Sequence, residues 1–364
     1  MVAIVFSACT SNPGLIPESA PTTNAPTSTP LSSPQTSVAP LSTSTQPAPT
    51  MPENQGHPLL GYAAAAWESA GKLVLLLQTD QLPSCEATPL GTNCGRVIKL
   101  AEVEVPDSPH NVAAYGSVVL VTHPRIGQLS RYDVDSGQLM SVEVGGEPHD
   151  VKFGMGGSVA YVTDEAGRRL LTIDPQNLEI LGSVDLPGEP HDLALGSGGE
   201  VWVTLVGLGE LARVEGAAVE VFVTGRSPHD LIVAPGGQIW FSNWNSDELT
   251  IFDPETGDTA AAPAGVEEPH HFAIDQSGAV WVSDNGGSSV VGFGSDRSVG
   301  DAAEVVVTVE VGATPHHLAF LEGDLLVVAV TGTGEVVAVS GGKIVGRVVL
   351  SSGLHGIAVG KASI

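Results

Sequence analysis

Glu147-Pro148-His149-Asp150 and Glu189-Pro190-His191-Asp192 are identical tetrads, and five altered copies occur elsewhere in the chain. Ser108-Pro109-His110-Asn111 precedes them. Ser227-Pro228-His229-Asp230, Glu268-Pro269-His270-His271, Thr314-Pro315-His316-His317 and Gly353-Leu354-His355-Gly356 follow. Successive histidines lie 39, 42, 38, 41, 46 and 39 residues apart, about 41 on average. A period of 40 to 45 built from short strands is the mark of a β-propeller blade.

One unit shows how a repeat is filled. After His191 come an apolar strand (Asp192 to Leu195), a Gly-rich turn, and a strand from Glu200 to Leu205 that contains Trp202. Two further strands, Glu210 to Val214 and Val219 to Thr224, complete four. Elsewhere the third and fourth strands are joined by Asp133 to Gly137 and by Asp253 to Gly257, which suits a type I turn closed by a left-handed glycine. The first of these runs has the look of a calcium loop, but the later bidentate Glu is missing, so a hairpin turn is the reading. Trp202, Trp240 and Trp281 share one repeat position and read as packing between blades, whereas Trp244 breaks the phase and is placed at the mouth.

The chain stops just past the seventh histidine strand (Gly356 to Val359), so that blade needs strands from elsewhere. Lys72 to Leu77 and Arg96 to Val105 are available near the start. The expected fold is all-β, a seven-bladed propeller over residues 58–364, closed by N-terminal strands pairing with the C-terminal inner strand. An apolar stretch at Tyr62 to Trp67 reads as an additional inner strand, which leaves six or eight blades open as counts.

Residues 1–9 pair a short apolar run with a terminal Cys9 and resemble the remnant of a bacterial lipoprotein signal, with Cys9 the lipidation site. Residues 10–57 are rich in Ser, Thr and Pro and cannot bury enough apolar area to offset ordering entropy, so they read as a disordered linker. Of three cysteines, Cys85 and Cys94 remain and suit a loop-stapling disulfide in an oxidising compartment. The expected location is therefore outside the cell, lipid-anchored on the outer face of the bacterial cytoplasmic membrane. An envelope protein is an expected partner.

Of the 364 residues, 41 are acidic and 14 basic, a formal net charge of −27 with the 11 histidines neutral. Such a polyanion does not hold a phosphate backbone by counterion release, which argues against nucleic acid as a ligand. Phosphate-binding glycine loops, zincin motifs and a Ser-His-Asp signature are absent, which removes nucleotide and hydrolase chemistry from the reading.

Seven histidines at one position of seven inner strands would ring the channel mouth: His110, His149, His191, His229, His270, His316 and His355. Imidazole suits Zn, Cu, Fe or Ni. Seven exceed the needs of one tetrahedral ion, so either three or four serve one metal or the ring holds several. The ends of the second strands, His123, Asp164, Asn243 and Asp284, are expected as a neighbouring second ring. Asp150, Asp192 and Asp230 follow their histidines directly, so strand alternation points them away from the axis to brace neighbouring blades.

The segments Gly237 to Asn243 and Gly278 to Asp284 resemble second strands of YVTN-type and streptogramin B lyase propellers. That resemblance implies metal-assisted β-elimination with Mg, and His270 and Asp284 stand at the matching places, with Asp where the lyases have Glu. The lyases carry few such histidines, whereas this chain has one per blade. The tetrads at 147–150 and 189–192 and the pairs His270-His271 and His316-His317 resemble the histidine pattern of nitrous oxide reductase. There a seven-bladed propeller binds a copper–sulfide cluster near its axis. This implies an axial metal site; the Cys-rich cupredoxin domain is missing, so reductase activity is not implied. WD40 propellers also repeat a histidine, which bonds within its blade and binds nothing; here the Trp-Asp dipeptide is absent and Pro-His opens the strand. The leading expectation is Cu or Zn at the axial ring, for metal handling or sensing. A metal-dependent lyase and a non-catalytic scaffold that binds a protein or glycan are the alternatives.

Overall fold

The second strands of the repeats are apolar at nearly every position, as in Val118–His123 and Leu325–Val330. A strand of that kind is stable only with both faces covered, and stacked blades cover both. In Tyr62–Trp67, Ala64 and Ala66 pack with Val119 and Val121 on one side, while Ala63 and Ala65 pack with Val327 and Ala329 on the other. Leu120, between two residues that face one neighbour, turns to the other. The buried apolar residues accordingly divide into seven clusters, one for each seam between adjacent blades.

The structure is a computed structural model that describes residues 61–79, 86–88, 91–225, 227–243, 246–262, 265–294 and 304–361. Cys9, the 10–57 segment, Cys85, the Cys94 side chain and Trp244 lie outside the described residues. The fold is a seven-bladed β-propeller. Five blades are separate four-stranded antiparallel sheets, spanning 112–143, 148–185, 190–223, 228–262 and 269–310. The sixth spans 315–349.

The seventh blade is composite. Its inner strand is Leu354–Gly360, followed outward by Tyr62–Trp67, Lys72–Gln78 and Val97–Glu104. Closure by N-terminal strands is as expected, but Tyr62–Trp67 is the second strand of this blade and not an added inner strand, which settles the count at seven. The short strand Gly91–Gly95 leaves the seventh blade and pairs with Lys343–Val349 at the outer edge of the sixth, joining both into one ten-stranded sheet. Gly95 makes this possible: its φ is 79°, and a Cβ there would meet the Val345 carbonyl.

The turns agree with their sequences. Gly137 and Gly257 are left-handed, with φ of 68° and 78°. Their N–H groups donate to Asp133 O and Asp253 O. Trp202 packs on Phe252 of the following blade, Trp240 on Phe293 and Trp281 on Phe320, so the tryptophans fill blade seams as expected.

A chain starting at Lys72 would leave the strand Leu354–Gly360 without its neighbour and remove the buried Tyr62 and four buried alanines from two core clusters. The expected outcome is loss of cooperative thermal unfolding and association on size exclusion, because a long open edge is exposed.

Candidate metal centre

The geometry of the axis follows from a β-bulge repeated in the blades. In the second blade Pro148 pairs with Asp164 and Val151 with Val162, so His149 and Asp150 together face the single residue Thr163. The third, fourth, fifth and sixth blades repeat this shift. A bulge breaks side-chain alternation, and consecutive side chains then both reach the channel. This corrects the expectation that Asp150, Asp192 and Asp230 turn away from the axis. They do brace neighbours: Asp150 accepts from Leu193 N at 3.2 Å and Asp192 from Leu231 N at 3.0 Å.

The residue opposite each bulge locks it. Thr163 Oγ1 accepts from Asp150 N at 2.9 Å and donates to His191 O of the next blade at 2.7 Å. Thr122 and Thr204 make the same pair of contacts, to His149 O at 2.7 Å and His229 O at 2.6 Å. Ser242 and Ser283 accept the bulged N–H of Asp230 and His271. The signal for these staples was present in the sequence as a Thr or Ser just before the last residue of five second strands.

The seven expected histidines meet in one closed ring. Neighbouring imidazole centroids are 4.7 Å apart for His110–His149, 3.9 Å for His149–His191 and 3.9 Å for His191–His229. The circuit continues at 5.0, 3.9 and 4.4 Å through His270, His316 and His355, and stacks back on His110 at 3.6 Å. His110 Nε2 and His149 Nε2 are 3.0 Å apart. Two nitrogens on one tetrahedral zinc stand roughly 3.3 Å apart, given Zn–N bonds near 2.0 Å. The Nδ1 atoms of His149, His271 and His355 are buried and without a hydrogen-bond partner.

Below the ring lies a second layer made by the other bulge residues: Asp150, Asp192, Asp230, His271 and His317. Asp230 Oδ2 is 2.7 Å from His270 Nδ1 and 3.5 Å from His229 Nδ1, so one carboxylate orients ring members from beneath. Burial pushes the Asp230 carboxyl up, but His270 and His229 outweigh it and hold it well below the usual range. Asp192 is raised well above that range by burial and by the Asp150 charge. Lys152 Nζ sits 2.8 Å from Asp150 and 3.5 Å from Asp192. His316 Nδ1 and His317 Nδ1 are 2.8 Å apart. From the opposite face an apolar funnel of about 610 Å³ descends to this layer, with Asn111, Lys152, His271 and His317 in its floor. On the histidine side two carboxylates flank the ring: Glu68 Oε2 is 3.7 Å from His110 Nδ1, and Glu165 Oε1 is 3.9 Å from His191 Nε2. Burial and the like charges of Glu147 and Glu189 raise Glu165 to about 7. Both glutamates follow directly on the ends of second strands, and the sequence reading missed them.

The residues expected as a second ring spend their polar atoms elsewhere. His123 bonds Ser130 Oγ at 2.7 Å and Asp107 O at 3.1 Å. Asp164 accepts from Glu147 N, Gly167 N and Arg169 Nε. Asn243 donates to Thr250 Oγ1 and Glu248 O. Asp284, paired with His270 in the lyase reading, accepts from Glu267 N and Ser289 Oγ. Each thus anchors loops at its own blade end, and His270 takes Asp230 as its carboxylate neighbour.

No family model matches this chain, and no curated protein does. Among solved structures the fold is similar to streptogramin B lyase, with a TM-score of 0.62 at 16% identity over 70% of this chain and 89% of that one. It is similar to hydrazine synthase of Kuenenia stuttgartiensis, with a TM-score of 0.61 at 16% identity over 74% and 93%. Citrobacter koseri AztD gives 0.60 at 12% identity over 84% and 99%. At these identities the likeness is one of fold, and it agrees with the resemblance to lyase-type propellers read from the strands.

Two predictions concern this centre. Thr163→Val removes both bonds of one staple, and denaturant unfolding is expected to show a loss of about 1–3 kcal/mol. The second is pH dependence. Burial lowers His123 and His271 to about 4 and His149 to about 3, and holds His191, His316, His317 and His355 well below 6.5. These groups stay neutral in the folded chain while the unfolded chain takes up protons below about 6.5. For these histidines stability is level above about pH 7.5 and falls as pH drops through 6.5 toward 4, by about 2 kcal/mol at pH 5 for His149. Glu165 and Asp192, both raised, act in the opposite direction, and the seven histidines outnumber them. Acid unfolding between about pH 5 and 6, followed by circular dichroism, is the expected result; a flat profile to pH 5 contradicts a buried neutral ring.

Proposed function

We propose that this chain is an exported, lipid-anchored propeller that binds a transition metal, Cu or Zn, at its axial histidine ring and serves metal handling or sensing. The observation that carries this reading is the set of buried, unpartnered imidazole nitrogens on His149 and His355 within one closed ring of histidines and on His271 in the layer beneath it. A buried polar atom without a partner costs on the order of 1–3 kcal/mol, and such atoms call for a ligand. Imidazoles gathered out of water, with Asp230 beneath and Glu165 above, are a donor set for a borderline or soft cation. The residues that would hold it are His110, His149, His191, His229, His270, His316, His317 and His355. Magnesium asks for octahedral oxygen donors, so a nitrogen-lined axis supports the Cu or Zn reading over Mg-assisted elimination. The acidic balance of the chain, −27 overall, favours the approach of cations.

Purified exported protein is expected to carry Cu or Zn by elemental analysis, and a His149/His191/His229 triple alanine variant to carry measurably less. Equal and negligible metal in both removes this reading.

A further inference from the structure

The donors around the ring fall into groups that differ in kind. His316, His317 and His355 bring one nitrogen each within 4.8 Å of one another, and so do His149 and His191 with a carboxylate oxygen of Glu165. The first group is all imidazole, and its His317, only 5% exposed, lies in the second layer and the funnel floor. The second mixes two imidazoles with a carboxylate whose side chain is 25% exposed at the mouth. A third group, His191, His229 and Asp230, shares His191 with the second, and its carboxylate is held by His270 at 2.7 Å.

Glu165 differs from its counterpart Glu68. Glu68 has Arg125 at 3.5 Å as well as His110 at 3.7 Å. The one ion-pair contact of Glu165 among the described residues is His191. Its carboxylate neighbours are Glu147 and Glu189, and the nearby Arg168 is drawn to Glu189 at 3.2 Å. A half-buried carboxylate among acids and beside two imidazoles is completed by a cation. Two nitrogens and one oxygen suit zinc or another divalent first-row ion and leave a position for water. From this group the imidazoles run unbroken round the ring to the first group: His149 to His110 with Nε2 atoms 3.0 Å apart, then His110 stacked on His355 at 3.6 Å.

We propose that His149, Glu165 and His191 form a separate, solvent-facing divalent-cation site at the mouth, through which metal reaches His316, His355 and the buried His317. The inference rests on the metal-binding reading and adds to it a second site and a direction of loading.

The test titrates the full chain with Zn²⁺ against a chromogenic chelator, which reports stoichiometry, affinity and rate of uptake. Wild type is expected to take two equivalents of unequal affinity. In Glu165→Gln the tight equivalent stays, the weaker one loses at least about tenfold in affinity, and the tight site fills more slowly by a similar factor. His317→Ala loses the tight equivalent and keeps the weaker one. Thermal unfolding without zinc checks that both variants fold, and His355→Gln replaces His317→Ala should that variant not fold. Identical stoichiometry, affinity and filling rate in wild type and Glu165→Gln overturn the mouth site while leaving metal binding by the ring intact. A wild-type chain that takes up neither Zn²⁺ nor Cu⁺ overturns the metal reading and this inference together.

Discussion

The β-bulge that sets His149 and Asp150 against the single Thr163 is the constraint on which the channel depends. An unbulged strand would send one of those two side chains to the axis and the other into a blade seam. With the bulge both reach the channel, and in five blades one dipeptide supplies two stacked polar layers. The cost of the irregularity is met locally. The extra N–H is taken by a Thr or Ser hydroxyl, and in three blades that hydroxyl also grips the next histidine's carbonyl. One residue therefore holds the bulge and registers the neighbouring blade.

Five of these crowded imidazoles are held neutral by their surroundings. Burial is the largest influence on His149, His191, His316, His317 and His355, and neighbouring histidines push the same way. Charge in the channel is carried instead by the layer beneath, where Asp150 and Lys152 pair and Asp230 answers His270 and His229. The channel thus presents lone pairs in a setting that disfavours protons, the condition under which imidazole serves as a ligand.

Much of the fold was legible in the chain. The 41-residue period pointed to blades and to seven of them with six or eight open, the turns at Asp133 and Asp253 behaved as their residues require, and the tryptophans took the seams. The Tyr62–Trp67 stretch was misassigned because an apolar strand covered on both faces has the same appearance at the first or second place in a blade. The histidine ring was legible because one residue per repeat, at constant phase, must form a ring when the blades close.

The rest of the centre was not legible. Asp230 was placed off the axis because alternation is the rule for a strand, and a bulge is a pairing between two strands that neither shows alone. Glu165 was passed over because no repeat marks it: Glu recurs at that position in the described residues only as Glu68, and its meaning comes from His191 on the next blade. Period, turn chemistry and apolar patterning are local and additive along the chain, so the blades and the ring could be read in one dimension. Which carboxylates meet which imidazoles depends on distances between different blades. Those are set by bulge geometry and circular closure, and they came into being only with the folded propeller.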